Sequence, residues 1–184
     1  MYYDNGRFFE QIYLRQEGAA AMRPVKVPPM LQALVQTGFS AVDGREFSQL
    51  DACPACGGEV TGYDRKKRKF ATVLDEGRQR EIMVYVRRFR CRQCGNVSPA
   101  KAPFYPGTRI GSPVADLCII LSRSLSPGRT AAALQAFGIL VDRGTVRNLK
   151  GKDIGEIPAT EMFGFLLPRS VVSLSLVAFR NPQG

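Results

Sequence analysis

Two short stretches decide how this chain is built: Cys53-Pro54-Ala55-Cys56-Gly57-Gly58 and Cys91-Arg92-Gln93-Cys94-Gly95. Each CxxC sets two thiols on one tight turn, and the glycine that follows lets backbone amides approach the sulfurs. Two such turns supply four soft ligands in a closed set, which suits one structural zinc ion and leaves no open position for a substrate. The 34 residues between Cys56 and Cys91 exceed the usual separation of about 15–20 between such pairs. A long hairpin would absorb the excess. A redox or disulfide pair, or an iron site, remains an alternative use of the same thiols. The fifth cysteine, Cys118, falls on an apolar helical stripe and reads as a core thiol.

Outward from the cysteines, the intervening sequence has strand character. Lys69–Leu74 leads through the turn-like Asp75-Glu76-Gly77-Arg78 into Ile82–Arg90, which is rich in β-branched and aromatic residues. Period-2 alternation puts Met83, Tyr85, Phe89 and Cys91 on one face of the second strand, and Ile82, Val84, Val86, Arg88 and Arg90 on the other. The segment is also strongly basic. Thr61–Arg92 holds eleven Lys or Arg residues against four Asp or Glu. Arg65, Lys66, Lys67, Arg68 and Lys69 form one cluster, and Arg87, Arg88, Arg90 and Arg92 another. Pairing the strands would bring the clusters together, where they repel unless a polyanion neutralises them, so phosphate binding is expected.

Bulk properties agree. The 184 residues carry 26 Lys or Arg against 16 Asp or Glu, a net charge of +10 and a pI near 9.7, which favours a nucleic-acid partner over an anionic membrane surface. Histidine is absent, which removes the commonest acid–base catalyst and leaves thiolates as the natural zinc ligands. The opening MYYDNGRFFEQIYLRQEG has no apolar run suited to export. The longest apolar stretch, Met162–Phe179, is broken by Pro168 and Arg169 and reads as no membrane span. A cytoplasmic, nucleoid-associated protein with reduced thiols is expected.

The expected fold class is α+β: a four-cysteine zinc ribbon with a long β-hairpin, then a helical helix-turn-helix module. Residues 1–50 form a lead-in with a short helix, Met30–Gln36, opened by Pro28-Pro29 and closed by Gly38. Residues 51–100 form the ribbon, and the Pro- and Gly-containing residues 101–111 a linker. In 112–151, Ser112-Pro113 and Ser126-Pro127 each look like a capping serine before a first-turn proline. Val114, Leu117, Cys118 and Leu121 make one helical stripe, and Ala133, Leu134 and Phe137 the next. A third helix starts at Asp142, buries Val146 and Leu149 and stops near Gly151, giving the order of a helix-turn-helix. Residues 152–184 form a tail with an apolar helix, Val171–Phe179.

In such a module the last helix reads bases while the one before it braces phosphates. Arg143, Thr145, Arg147, Asn148 and Lys150 are the expected readers, with Arg129 and Thr130 on the backbone. Unpaired RNA bases could stack on Tyr63, Phe70 or Tyr85, although a hairpin core is the simpler place for such rings.

CPACGG, a basic two-strand insert, VRRFRCRQCG, a Pro-rich linker and helices ending in RGTVRNL together resemble the front end of insertion-sequence transposases that begin with a zinc ribbon. The resemblance spans Ala52–Leu149. It implies recognition of transposon-end DNA, with Cys53, Cys56, Cys91 and Cys94 on the metal and the helix around Arg143–Asn148 reading sequence. Such enzymes cut DNA with carboxylates spread over a following nuclease domain. Here only 34 residues follow Lys150, and Asp153, Glu156 and Glu161 crowd within nine positions. The expectation is therefore a non-catalytic, zinc-dependent DNA-binding protein, either the end-recognition part of a transposase or a regulator derived from one, acting on double-stranded DNA. The alternative is an adaptor that docks a protein partner or a second copy through Val171, Val172, Leu174, Leu176 and Val177.

Overall fold

The computed structural model describes residues 25–180, with side chains as far as Leu176. In chain order the elements are α1 (Pro29–Ser40), β1 (Glu46–Phe47), β2 (Val60–Asp75), β3 (Arg78–Cys91), β4 (Val97–Pro99), α2 (Ser112–Ser122), α3 (Pro127–Ala136), α4 (Arg143–Lys150), β5 (Ala159–Met162), β6 (Phe165–Pro168) and α5 (Arg169–Arg180). The architecture is mixed α+β, with five helices and two sheets among the described residues. No described helix is long and apolar enough to cross a membrane.

β2 and β3 form an antiparallel hairpin closed by Glu76 and Gly77, both at positive φ, the two-residue turn whose twist matches paired strands. β2 reaches well upstream of Lys69, so the run Arg65–Lys69 is strand. Five consecutive cations have little strand preference alone, but each lies opposite a β3 residue from Arg87 to Met83, and pairing decides. On its other edge β3 carries β1, parallel at Tyr85 and Val86, and then β4, antiparallel at Arg88–Arg90.

The expected alternation along β3 holds in its middle. Ile82, Val84 and Val86 are buried, while Met83 and Tyr85 are half-buried. The register slips twice on β2, between Gly62 and Asp64 and between Lys69 and Ala71. The residues at the slips, Tyr63 and Phe70, are re-aimed out of the pleat. Tyr63 stays exposed under the Arg88 guanidinium. Phe70 is fully buried between the rings of Phe39, at 6.0 Å, and Phe104, at 5.8 Å, so it cannot stack on a base.

One continuous core joins the inner hairpin face to α1, α2, α3, α4, β6 and α5. α2 is its axis. Val114, Ala115, Leu117, Cys118, Ile120 and Leu121 are all buried, so this helix is covered nearly all round instead of along a single stripe. Its N-cap is Gly111, not Ser112, and no side chain caps it. A Cβ on Gly111 would come within 2.4 Å of the Phe70 ring. Asp116, also on α2, is buried and accepts hydrogen bonds from the Tyr105 and Ser170 hydroxyls, each at 2.5 Å. Residues 101–111 have no regular structure, yet this bond and Phe104 pin them to the core.

Two helices extend beyond the expected bounds. α1 runs through Gly38, where a Cβ would meet the Ser175 hydroxyl at 2.7 Å and its backbone nitrogen at 2.9 Å. The glycine is there because α5 crosses that point, and it does not end the helix. α5 starts at Arg169, directly after β6. The segment between α3 and α4 also has an unforeseen partner: Leu74 N–H donates to Gly138 O and Leu140 N–H to Thr72 O, both at 2.8 Å. That connection is as long as it is because it lies along β2 as a short extra edge.

Candidate metal centre and basic surface

The cysteines sit at the open end of the hairpin. Cys91 ends β3 and pairs with Val60, while Cys53 lies just before β2. The two turns are built alike. Gly57 N–H donates to Cys53 O and Gly95 N–H to Cys91 O, and both glycines have φ of +72°. Only glycine holds that conformation without strain. Cys53 N–H donates to Gly58 O, Cys91 N–H to Asn96 O, and Arg92 N–H to Glu59 O, which ties one turn to the other.

All four sulfurs lie within 4.8 Å of one another. Cys53 and Cys94 Sγ are 3.7 Å apart, and Cys56 and Cys91 Sγ 3.5 Å. A disulfide needs about 2.05 Å. A tetrahedron with metal–sulfur bonds of about 2.3 Å has edges of about 3.8 Å, so the set fits one ion. Cys53 and Cys91 are buried and Cys56 and Cys94 exposed. The Cys94 backbone N–H, 3.5 Å from Cys91 Sγ, pulls the Cys91 thiol down to about 6. At Cys56 the Gly58 amide acts downward, but hydrogen bonds with the Cys94 and Cys91 sulfurs outweigh it and push the thiol up to about 12. Four thiolates this close repel, and a divalent cation removes that repulsion. Cys118, by contrast, is a core thiol pushed up to about 12 by burial.

The hairpin cations are brought together but not left bare. Arg65 and Arg87 face each other, and Glu46 of β1 pairs with both, at 3.5 and 3.7 Å. Nothing in the local sequence links Glu46 to this site; only the parallel β1–β3 pairing delivers it. Arg65 also lies 4.8 Å from the Tyr85 ring centre. Arg88 binds Asp64 with two nitrogens, which holds that carboxyl below its ordinary range. Arg68 belongs to the packing. Its guanidinium stacks 3.8 Å from the Phe104 ring centre and donates to Thr108 O at 2.9 Å, and burial lowers its pKa. Lys66, Lys67 and Arg90 are exposed and make no ion pair among the described residues.

α4 begins at Asp142, whose carboxylate accepts from both the amide and the hydroxyl of Thr145. That hydroxyl is therefore committed to the cap. Val146 and Leu149 are buried, and Arg143, Arg147, Asn148 and Lys150 are exposed. Ser126 caps α3, accepting from Arg129 N–H. Arg129 is half-buried. Thr130 is fully buried, on the side of α3 shared with Ala133 and Leu134, and cannot meet a phosphate. In α5, Val171 is in the core and Val172 and Leu174 pack against it, leaving Leu176 exposed. The Val177 side chain lies outside the described residues. Most of the face expected to dock a partner is thus spent on the chain's own interior.

Comparison with protein-family models, curated proteins and solved structures finds no match.

Proposed function

We propose that the chain is a non-catalytic, zinc-dependent DNA-binding protein, with the cysteine turns forming a zinc ribbon and α3–α4 acting as a helix-turn-helix. One observation carries the reading. Arg143, Arg147 and Lys150 recur at i, i+4 and i+7 on the exposed surface of α4 and make no ion pair among the described residues, while Val146 and Leu149, about a quarter turn round the helix, fix it in the core. Unneutralised cations on one stripe of a firmly docked helix favour a polyanion, and Asn148 beside them suits an adenine edge.

Two further features support it. The Arg143 Cδ passes 3.8 Å from where a Cβ on Gly128 would lie, which brings the α4 cation beside the first turn of α3. Zinc, once bound by Cys53, Cys56, Cys91 and Cys94, would supply a cross-link between the two turns. These residues would then hold the open end of the hairpin, and with it Arg90, in register beside the duplex. The resemblance to zinc-ribbon transposases points the same way, to an end-recognition module or a regulator derived from one.

The test is to titrate zinc-loaded protein into a pool of duplex DNA at two salt concentrations, beside the Arg143→Ala/Arg147→Ala variant. The reading expects salt-sensitive binding, with sequence enrichment lost in the variant. No binding at low salt with zinc at full occupancy would refute it and turn attention to a protein partner.

A further inference from the structure

We propose that the cleft between the β2–β3 hairpin and α4 is a second seat for backbone phosphates, on a strand that passes beside the α4 stripe. The inference rests on the DNA-binding reading of α4 and extends it to residues that reading does not use. The cleft encloses about 630 Å³. Its cations come from three separate segments: Lys69 on β2, Arg109 in the 101–111 connection, and Lys152 just after α4. Thr108, Thr145 and Asn148 line it as well.

The charge balance favours an anion. Asp142 is the one acid on the wall, and both its oxygens already accept from Thr145. Lys69 is paired with Glu81 at 3.2 Å, but Arg109 and Lys152 make no ion pair among the described residues. They converge on the same loop. A Cβ on Gly107, whose φ is +68°, would lie 3.5 Å from Lys152 Nζ, so the lysine bends over the connection that carries Arg109. Holding two unpaired cations across one cleft costs repulsion, which a bound phosphate would remove. Asn148 is exposed at the helix and also lines the cleft, so one strand could be gripped at both. A free phosphate offers the same oxygens, and the test must separate the two sources.

The variant is Arg109→Ala/Lys152→Ala, in the zinc-loaded 184-residue chain, with thermal midpoint and zinc content measured to show that folding is intact. Each phosphate contact adds about 0.9 to the slope of log Kobs against log salt. The variant should therefore bind duplex DNA with a slope shallower by about 2 and with unchanged sequence preference. A wild-type slope in the variant would overturn the cleft while leaving the α4 reading standing. Saturable binding of inorganic phosphate at fixed ionic strength, lost in the variant with duplex binding unaffected, would overturn the assignment to a nucleic-acid strand. Arg143→Ala/Arg147→Ala, run in parallel, reports on α4 separately: if it keeps full sequence preference, the α4 reading fails whatever the cleft does.

Discussion

Removing the metal should unfasten one end of the hairpin and leave the other in place. In residues 51–62 the only buried positions are Cys53 and Gly58, and in 90–99 they are Cys91 and Ser98. That end has no apolar core beyond its own thiols. The far end is different, because Phe70, Ala71, Val73, Ile82, Val84 and Val86 belong to the common core. A ligand bound only by the ordered form stabilises it by about 4 kcal/mol when its free concentration is a thousand times its Kd. Under that condition, stripping zinc or introducing Cys91→Ser should accelerate amide exchange about a thousandfold at Thr61, Arg90, Arg92 and Ser98. Exchange at Val73, Ile82 and Val84 should change by less than about tenfold, since their hydrogen bonds open with the helical core. Hydrogen exchange read by mass spectrometry on peptides from each end distinguishes these outcomes. Equal loss of protection across both ends would refute the division, and unchanged exchange at the cysteine end would refute the metal's role.

Three other perturbations follow from the packing and the caps. Gly38→Ala should lower stability by about 1–3 kcal/mol, because the Ser175 backbone has to retreat from the new methyl group; an unchanged urea midpoint would contradict the close α1–α5 crossing. Asp116→Ala leaves the half-buried Tyr105 and Ser170 hydroxyls without their buried acceptor and should cost about 1–3 kcal/mol by the same assay, with wild-type stability as the contrary result. The Thr145 side chain and amide hold the Asp142 carboxyl below its ordinary 3.8, so its stabilisation of α4 is complete above that pH and is lost only as pH falls through the lower folded value. In Asp142→Asn, the chemical shifts of α4 amides should lose that acid step, and persistence of the step would assign it to another group.

How far the sequence reaches depends on whether the deciding forces are local. The cysteine turns were legible because a CxxC followed by glycine is a local geometric device. The middle of β3 was legible because a core on one side imposes period 2 on Ile82, Val84 and Val86. Ser126 was legible as a cap, and Asp142 as the start of α4, for the same reason, whereas the same serine–proline signal misplaces the cap at Ser112, because Gly111 takes that position. What escaped depends on distant partners. The Arg65–Lys69 run is strand only because β3 lies beside it, and Glu46 reaches Arg65 and Arg87 only through a two-residue parallel pairing. Gly38 looks like a helix stop until α5 is placed across it. Thr130 looks like a phosphate ligand until Ala133 and Leu134 fix which side of α3 is inside. The helical stretch and the hairpin read as separate modules because no pattern announces the bonds from Thr72 and Leu74 to the Gly138–Leu140 connection.

The most direct test of the central claim is the salt dependence of duplex binding by zinc-loaded protein, measured by fluorescence anisotropy from low to physiological salt. Arg143, Arg147 and Lys150 on α4, with Arg109 and Lys152 in the cleft, make five cations without an ion pair among the described residues, so the slope of log Kobs against log salt should be about −4.5 or steeper. A slope near zero, or no binding at low salt with one zinc per chain, would contradict the DNA-binding account.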